Sequence, residues 1–148
     1  MIKIMFVCHG NICRSPMAEY VLKHMVANQE KTKDFAIVSS ATSTEEIGNP
    51  IHHGTKRKLA EAGVPVDDRC AVQLQKSDYQ RYNYIIGMDG YNVKNMMRIL
   101  GGDPENKVCR LLDFTDTPRD IADPWYTGNF DITYNDIVEG CTALLKRL

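Results

Sequence analysis

The chain has 148 residues, 43% hydrophobic and 25% charged, with a formal net charge of −1. That length and balance suit a single domain over residues 1–148 with a sizeable core. The near-zero charge excludes a global field for nucleic acid or an anionic membrane, so any anion site must be local. No apolar run approaches the ~18 residues of a membrane helix.

The chain opens with Ile2–Val7, a short β-branched apolar run bounded by Gly10, which predicts a buried first strand. No small-residue cleavage site follows a long apolar stretch, so this is not expected to be a signal peptide. Ser15 is a good helix cap and Pro16 suits a first helical position. Ala18, Val21, Leu22, Met25 and Val26 then fall on one helical face. Phe35–Ser40 predicts a second strand. Residues 41–50 are polar, with Gly48 and Pro50, and predict a loop. His52–Ala62 predicts a helix closed by Gly63. Tyr84–Met88 predicts a third strand, Tyr91–Leu100 a helix ended by Gly101 and Gly102, and Val108–Leu112 a fourth strand. Asp113 to Phe130 predicts a long loop. Tyr134, Ile137, Val138, Cys141, Leu144 and Leu145 mark a last helix.

This alternation predicts an α/β fold: three layers, α/β/α, around a four-stranded parallel sheet. Ligands bind such sheets beyond the carboxyl ends of the strands. The loop after the first strand and the long loop after the fourth both lie there.

Five cysteines are present: Cys8, Cys13, Cys70, Cys109 and Cys141. An odd count and no CxxC pair predict free thiols in a reducing, cytoplasmic setting. Cys70, Cys109 and Cys141 read as core residues. The four histidines show no metal-ligand spacing with them, so no zinc site is expected. His52 and His53 read as solvated, and Lys56, Arg57 and Lys58 as a solvated helix face.

The segment Cys8-His9-Gly10-Asn11-Ile12-Cys13-Arg14-Ser15-Pro16 joins a buried strand to a helix N-terminus. That geometry aims several backbone N–H groups and the positive end of the helix dipole at one spot. Gly10 and Asn11 tolerate the left-handed backbone that a nest around an oxyanion requires. Arg14 offers a planar fork for two phosphate oxygens. A cysteine at the start of the loop feels all of that potential, which favours its thiolate. Ser15 is placed to donate a hydrogen bond to that thiolate. Cys-x5-Arg alone is a weak signal; the strand before it and the Ser-Pro after it make it specific.

Asp123-Pro124-Trp125-Tyr126-Thr127-Gly128, in the long loop, carries a carboxylate stiffened by proline. Asp123 is a candidate proton donor for a leaving oxygen, or a plain turn residue before proline. Trp125 and Tyr126 would form an apolar wall suited to a flat aromatic ester.

Together these segments resemble the low-molecular-weight protein tyrosine phosphatase family, over essentially the whole chain. VCHGNICRSP resembles its phosphate loop, DPWYTG its general-acid loop, and SSATSTEEIGNP, from Ser39, the loop bordering the pocket. IIGMD, Ile85–Asp89, resembles the end of its third strand. The resemblance implies phosphotyrosine-containing proteins as partners, with no nucleic acid or membrane, acting as a monomer or weak homodimer. It implies Cys8, Arg14 and Asp123 as nucleophile, phosphate clamp and general acid/base, with no metal or other cofactor. His9, Gly10, Asn11, Ile12, Cys13 and Ser15 would line the phosphate, and Asn11 and Ser39 would hold the loop in shape. Glu45, Glu46, Trp125 and Tyr126 would form the pocket rim. Cys13 matches a second loop cysteine able to trap oxidised Cys8 as a disulfide, or is simply a small buried residue.

The chain departs from the family pattern at four places. His9 stands where an apolar residue is usual, and Glu45 where an aromatic is frequent. Arg69 and Val72 stand where His and Arg are often found. The acidic rim is expected to disfavour acidic peptides. An arginine phosphatase of the same fold would carry Thr at Ile12 and lack Tyr126. A thiol-linked arsenate reductase would need two further cysteines close together. A phosphocysteine carrier or a phosphotyrosine-binding module would need no Asp123.

Overall fold

A computed structural model describes residues 1–148. Four strands, β1 (Ile2–Cys8), β2 (Phe35–Ala41), β3 (Tyr84–Gly87) and β4 (Val108–Arg110), form one sheet in the order β2-β1-β3-β4. Every pairing is parallel, as the alternating pattern predicts. β1 is central and fully zipped to β2, with Cys8 opposite Ala41 at its carboxyl end. The chain steps from β1 to β2 on one side and then across to β3 on the other. That switch leaves a crevice beyond the ends of β1 and β3, where ligands of such sheets bind.

The strands alternate their side chains between two apolar layers. Ile4, Phe6 and Cys8 join the larger core with Ile86, Met88 and residues of α1 (Arg14–Asn28), α2 (His53–Glu61) and α6 (Phe130–Lys146). Met5, Val7 and Ile85 face the smaller core, under Met96 and Leu100 of α4 (Gly90–Leu100). Helices therefore cover both faces, as expected. No helix is long and apolar enough to cross a membrane.

Local departures from the sequence expectations have physical reasons. The first helix begins at Arg14 with Cys13 as N-cap, and no side chain caps it. Ser15 lies inside the first turn because its hydroxyl is recruited by Cys8 and Asn11, and Pro16 is the third helical residue. β4 stops at Arg110, and Leu111–Phe114 winds into a 3-10 turn that buries Leu111 and Leu112. The polar stretch after residue 74 hides a one-turn helix, α3 (Asp78–Arg81). The long loop contains another, α5 (Pro124–Thr127), and α6 starts at Phe130. Among the cysteines, Cys141 is buried as read, but Cys109 is only half-buried and Cys70 is exposed. Cys70 lies on a coil where no periodicity marks an inward face.

Candidate active site

The loop from Cys8 to Arg14 closes on itself around the Cys8 sulfur. The Asn11 N–H reaches Sγ at 3.3 Å and the Ser15 N–H at 3.5 Å, with the Ser15 hydroxyl at 3.1 Å. Asn11 makes the turn with a φ of 58°, in the left-handed region, and is completely buried. A non-glycine residue in that region costs about 1–3 kcal/mol and persists only if its surroundings hold it there.

The surroundings that hold Asn11 come from far along the chain. Arg69 donates to the Asn11 carbonyl at 2.8 Å and to its side-chain Oδ1, and the Val72 N–H also donates to Oδ1 at 3.2 Å. Those obligate donors fix the amide orientation, so Asn11 Nδ2 must donate to Ser15 Oγ at 2.8 Å and Ser39 Oγ at 2.9 Å. Ser39 in turn donates to the buried Glu19 carboxylate, which Lys23 neutralises at 2.6 Å. Ser15 has accepted one hydrogen bond, so its own proton goes to Cys8 Sγ or to the Ser40 carbonyl at 3.4 Å; the sulfur is nearer. Every side chain in this chain of contacts leads back to Cys8. Arg69 was singled out from sequence only as a departure, with no role. Val72 contributes its main chain, and its side chain is half-exposed.

Arg14 lies at the bottom of the crevice, with 3% of its side chain exposed. One nitrogen, Nη1, donates to Asp89 at 2.7 Å and to the Ile121 carbonyl at 2.8 Å. The other, Nη2, lies 3.5 Å from Asp123 Oδ2. Burial works against the charge of the guanidinium, but the neighbouring Cys8, Asp89 and Asp123 outweigh it, and its pKa is raised. Asp89 was not assigned from sequence. It lies two residues beyond the end of β3 and caps α4 through a bond from the Asn92 N–H at 2.6 Å. Its second oxygen is what fixes the plane of Arg14. An acid at a strand's carboxyl end that also caps a helix was the available signal.

Asp123 caps α5 by accepting from the Trp125 N–H at 3.0 Å, the turn role that a carboxylate before proline suggests. Its segment is anchored just before it: the Ile121 N–H donates to Met88 O, and the Thr133 hydroxyl donates to Ala122 O. The crevice encloses about 530 Å3. His9, Gly10, Ile12 and Cys13 line it together with Cys8 and Arg14, while Glu45, Glu46, Trp125 and Tyr126 edge it. Tyr91, exposed at the start of α4, also edges it and carried no signal in the sequence. His9 bridges to Glu45 at 2.8 Å across the mouth, and Glu46 holds Asn49 at 2.6 Å. Burial first, then the charges of Cys8 and Asp123, push the Cys13 thiol up to about 12.

His52 and His53 behave differently from the solvated pair expected. His53 is exposed, but His52 is half-buried and caps α2, its Nδ1 accepting from the Gly54 N–H at 3.0 Å. Its ring stacks on Phe130 and meets Trp125 edge-on.

A parallel sheet with a cysteine–arginine loop after its first strand and an opposed carboxylate defines a cysteine-dependent phosphatase scaffold. The sequence model of the low molecular weight phosphotyrosine protein phosphatase family matches residues 3–148. The chain belongs to that family. It is 37% identical to the low molecular weight protein-tyrosine-phosphatase YfkJ of Bacillus subtilis, over 100% of this chain and 96% of that protein. The crystal structure of YfkJ superposes with a TM-score of 0.96, covering 99% of this chain and 94% of that one. SP-PTP, the low molecular weight protein tyrosine phosphatase of Streptococcus pyogenes, is 40% identical, with a TM-score of 0.90 over 100% and 93% of the chains. The Drosophila arginine phosphatase DARP shares the fold at 27% identity, with a TM-score of 0.87 over 99% and 97%.

Proposed function

We propose that this protein hydrolyses phosphotyrosine in proteins, and small aryl phosphates, through a phosphocysteine on Cys8. The observation that carries the proposal is the Asp123 carboxylate 3.5 Å from Arg14 Nη2, in the crevice that Cys8 also lines. A binding module or carrier needs the cradle alone; a hydrolase also needs the acid.

The Cys8 thiolate attacks phosphorus in line with the ester oxygen. The backbone N–H groups of the loop and the Arg14 guanidinium hold the three equatorial oxygens as the P–O bond breaks. Asp123 gives its proton to the departing phenolate oxygen. Its carboxylate then takes a proton from water as the water attacks the phosphocysteine. The Ser15 hydroxyl stabilises the returning thiolate. Ile12, Tyr91, Trp125 and Tyr126 give the crevice apolar walls that suit an aromatic ring. The whole chain acts as one phosphatase domain. Its unpaired thiols, Cys70 among them exposed, suit a reducing cytoplasm.

Phosphate release from phosphotyrosine, phosphoserine and phosphoarginine peptides by wild type and Cys8→Ser tests the proposal. Release from phosphotyrosine alone, abolished in Cys8→Ser, is the expected result. Preferential release from phosphoarginine, or activity surviving in Cys8→Ser, would overturn it.

A further inference from the structure

The two halves of the site are carried by separate parts of the chain, and one short segment touches both. The His52 main-chain N–H donates to the Ile12 carbonyl at 2.8 Å. Three residues on, the Thr55 hydroxyl donates to the Cys13 carbonyl at 3.3 Å. The N-terminus of α2 is thereby locked to the phosphate loop. From that fixed base the His52 ring reaches the acid-bearing segment. It lies 5.5 Å from the Trp125 ring, nearly perpendicular to it, and 5.6 Å from the Phe130 ring, nearly parallel. Trp125 follows Asp123 by two residues, and its N–H is the one Asp123 Oδ1 accepts from. Gly54 allows this closeness, because a Cβ there would overlap the Phe130 ring.

The orientation of the ring is itself specified. Nδ1 accepts from the Gly54 N–H, which requires an unprotonated Nδ1. Burial, and then the neighbouring His53, lower the pKa of the imidazole, against the opposing pull of Asp123 and Glu46. The ring is thus held neutral, as the cap bond demands. On the other side of Asp123, the Ile121 and Ala122 carbonyls are bonded to Arg14 and Thr133. His52 supplies a matching constraint after Asp123, where α5 is a single exposed turn.

We infer that His52 is a positioning residue for the general acid: its ring, braced on the phosphate loop, holds Trp125 and so sets Asp123 at its working distance from Cys8 and Arg14. The inference rests on Asp123 being the acid. Misplacing a catalytic group by a fraction of an ångström is costly when the proton must be transferred in flight. The cost is greatest for leaving groups that cannot depart as anions. A phenol is such a leaving group, and 4-nitrophenol is much less so.

The test compares kcat/KM for phenyl phosphate with kcat/KM for 4-nitrophenyl phosphate, because kcat includes hydrolysis of the phosphocysteine that both share. His52→Asn keeps an acceptor for the Gly54 N–H and removes the ring; the phenyl-to-nitrophenyl ratio should fall about tenfold. His52→Phe keeps a ring and removes the acceptor; it should restore most of that ratio while lowering thermal stability. Trp125→Ala removes the other half of the contact at an exposed position, and should lower the ratio similarly, with no further loss in the double variant. Asp123→Asn should lower it by about a hundredfold, the low end of general-acid effects. An unchanged ratio in Asp123→Asn would overturn the acid assignment itself. An altered ratio there, with unchanged ratios in Trp125→Ala and His52→Asn, would overturn the role of His52 alone. So would additive losses in the double variant.

Discussion

Arg69→Ala asks how much the phosphate loop depends on a residue 58 positions away from it. The guanidinium makes two bonds to Asn11 and one to Ser39 at 3.3 Å. A hydrogen bond from a charged donor is worth about 1.5–3 kcal/mol. Arg69 is half-buried, so water replaces part of what is lost, and Val72 still serves Asn11 Oδ1. A net loss of about 2 kcal/mol follows, comparable to the ~1–3 kcal/mol cost of the left-handed conformation at Asn11. The equilibrium favouring the competent loop would therefore shift by about 30-fold, at 1.4 kcal/mol per decade. Inhibition by inorganic phosphate and kcat/KM for phosphotyrosine should weaken by one common factor, up to about 30-fold, because both need the same nest. Arg69→Lys keeps the charge without the planar fork and should recover only part. The midpoint of thermal unfolding should fall by about 4–8 °C. Wild-type phosphate inhibition and kcat/KM in Arg69→Ala, with only the midpoint lowered, would refute the reasoning and leave Arg69 a stabilising contact alone.

The acidic mouth should be visible in peptide preference: basic residues beside phosphotyrosine raise kcat/KM over acidic ones, and Glu46→Gln narrows the gap. A preference for acidic peptides would contradict this. Cys13 should form a disulfide with peroxide-oxidised Cys8, and the bridging rate should rise with pH. Its thiol sits near 12, so the thiolate fraction grows about tenfold per pH unit below that; mass spectrometry of quenched samples that finds no Cys8–Cys13 bridge would rule it out. Stability should decline above about pH 9. Native Cys13 and Cys109 are each pushed by burial from 9.0 to about 12. Between those values the unfolded chain binds fewer protons than the native one, so unfolding becomes easier as pH rises. The slope is about 1.4 kcal/mol per pH unit per thiol. Urea melts at pH 8, 9 and 10 check this, and Cys13→Ser should flatten the slope by one thiol's share.

The phosphate loop was legible because its chemistry is contiguous. Strand, nest, arginine and helix follow one another within nine residues, and local rules about glycine, asparagine and helix ends apply directly. The parallel sheet was legible for a similar reason, since strand-like and helix-like runs alternate. Asp123 was found as a carboxylate beside a proline, but nothing local in the sequence could place it 3.5 Å from Arg14. What the chain order could not express were contacts between remote segments. Asp89 lies 75 positions from Arg14, and Arg69 reaches Asn11 from a coil without periodicity. His52 looked like a solvated helix start because nothing local announces Phe130 and Trp125 as neighbours. Ser15 was read both as a cap and as a partner of Cys8; its hydroxyl lies against Cys8 Sγ and accepts from Asn11, and it caps nothing. By itself the sequence determined the cysteine–arginine loop and its order of parts, because that candidate nucleophile and its cradle are built from adjacent residues. Tertiary structure alone decided how those groups are held, because orientation comes from side chains that only folding brings within hydrogen-bond reach.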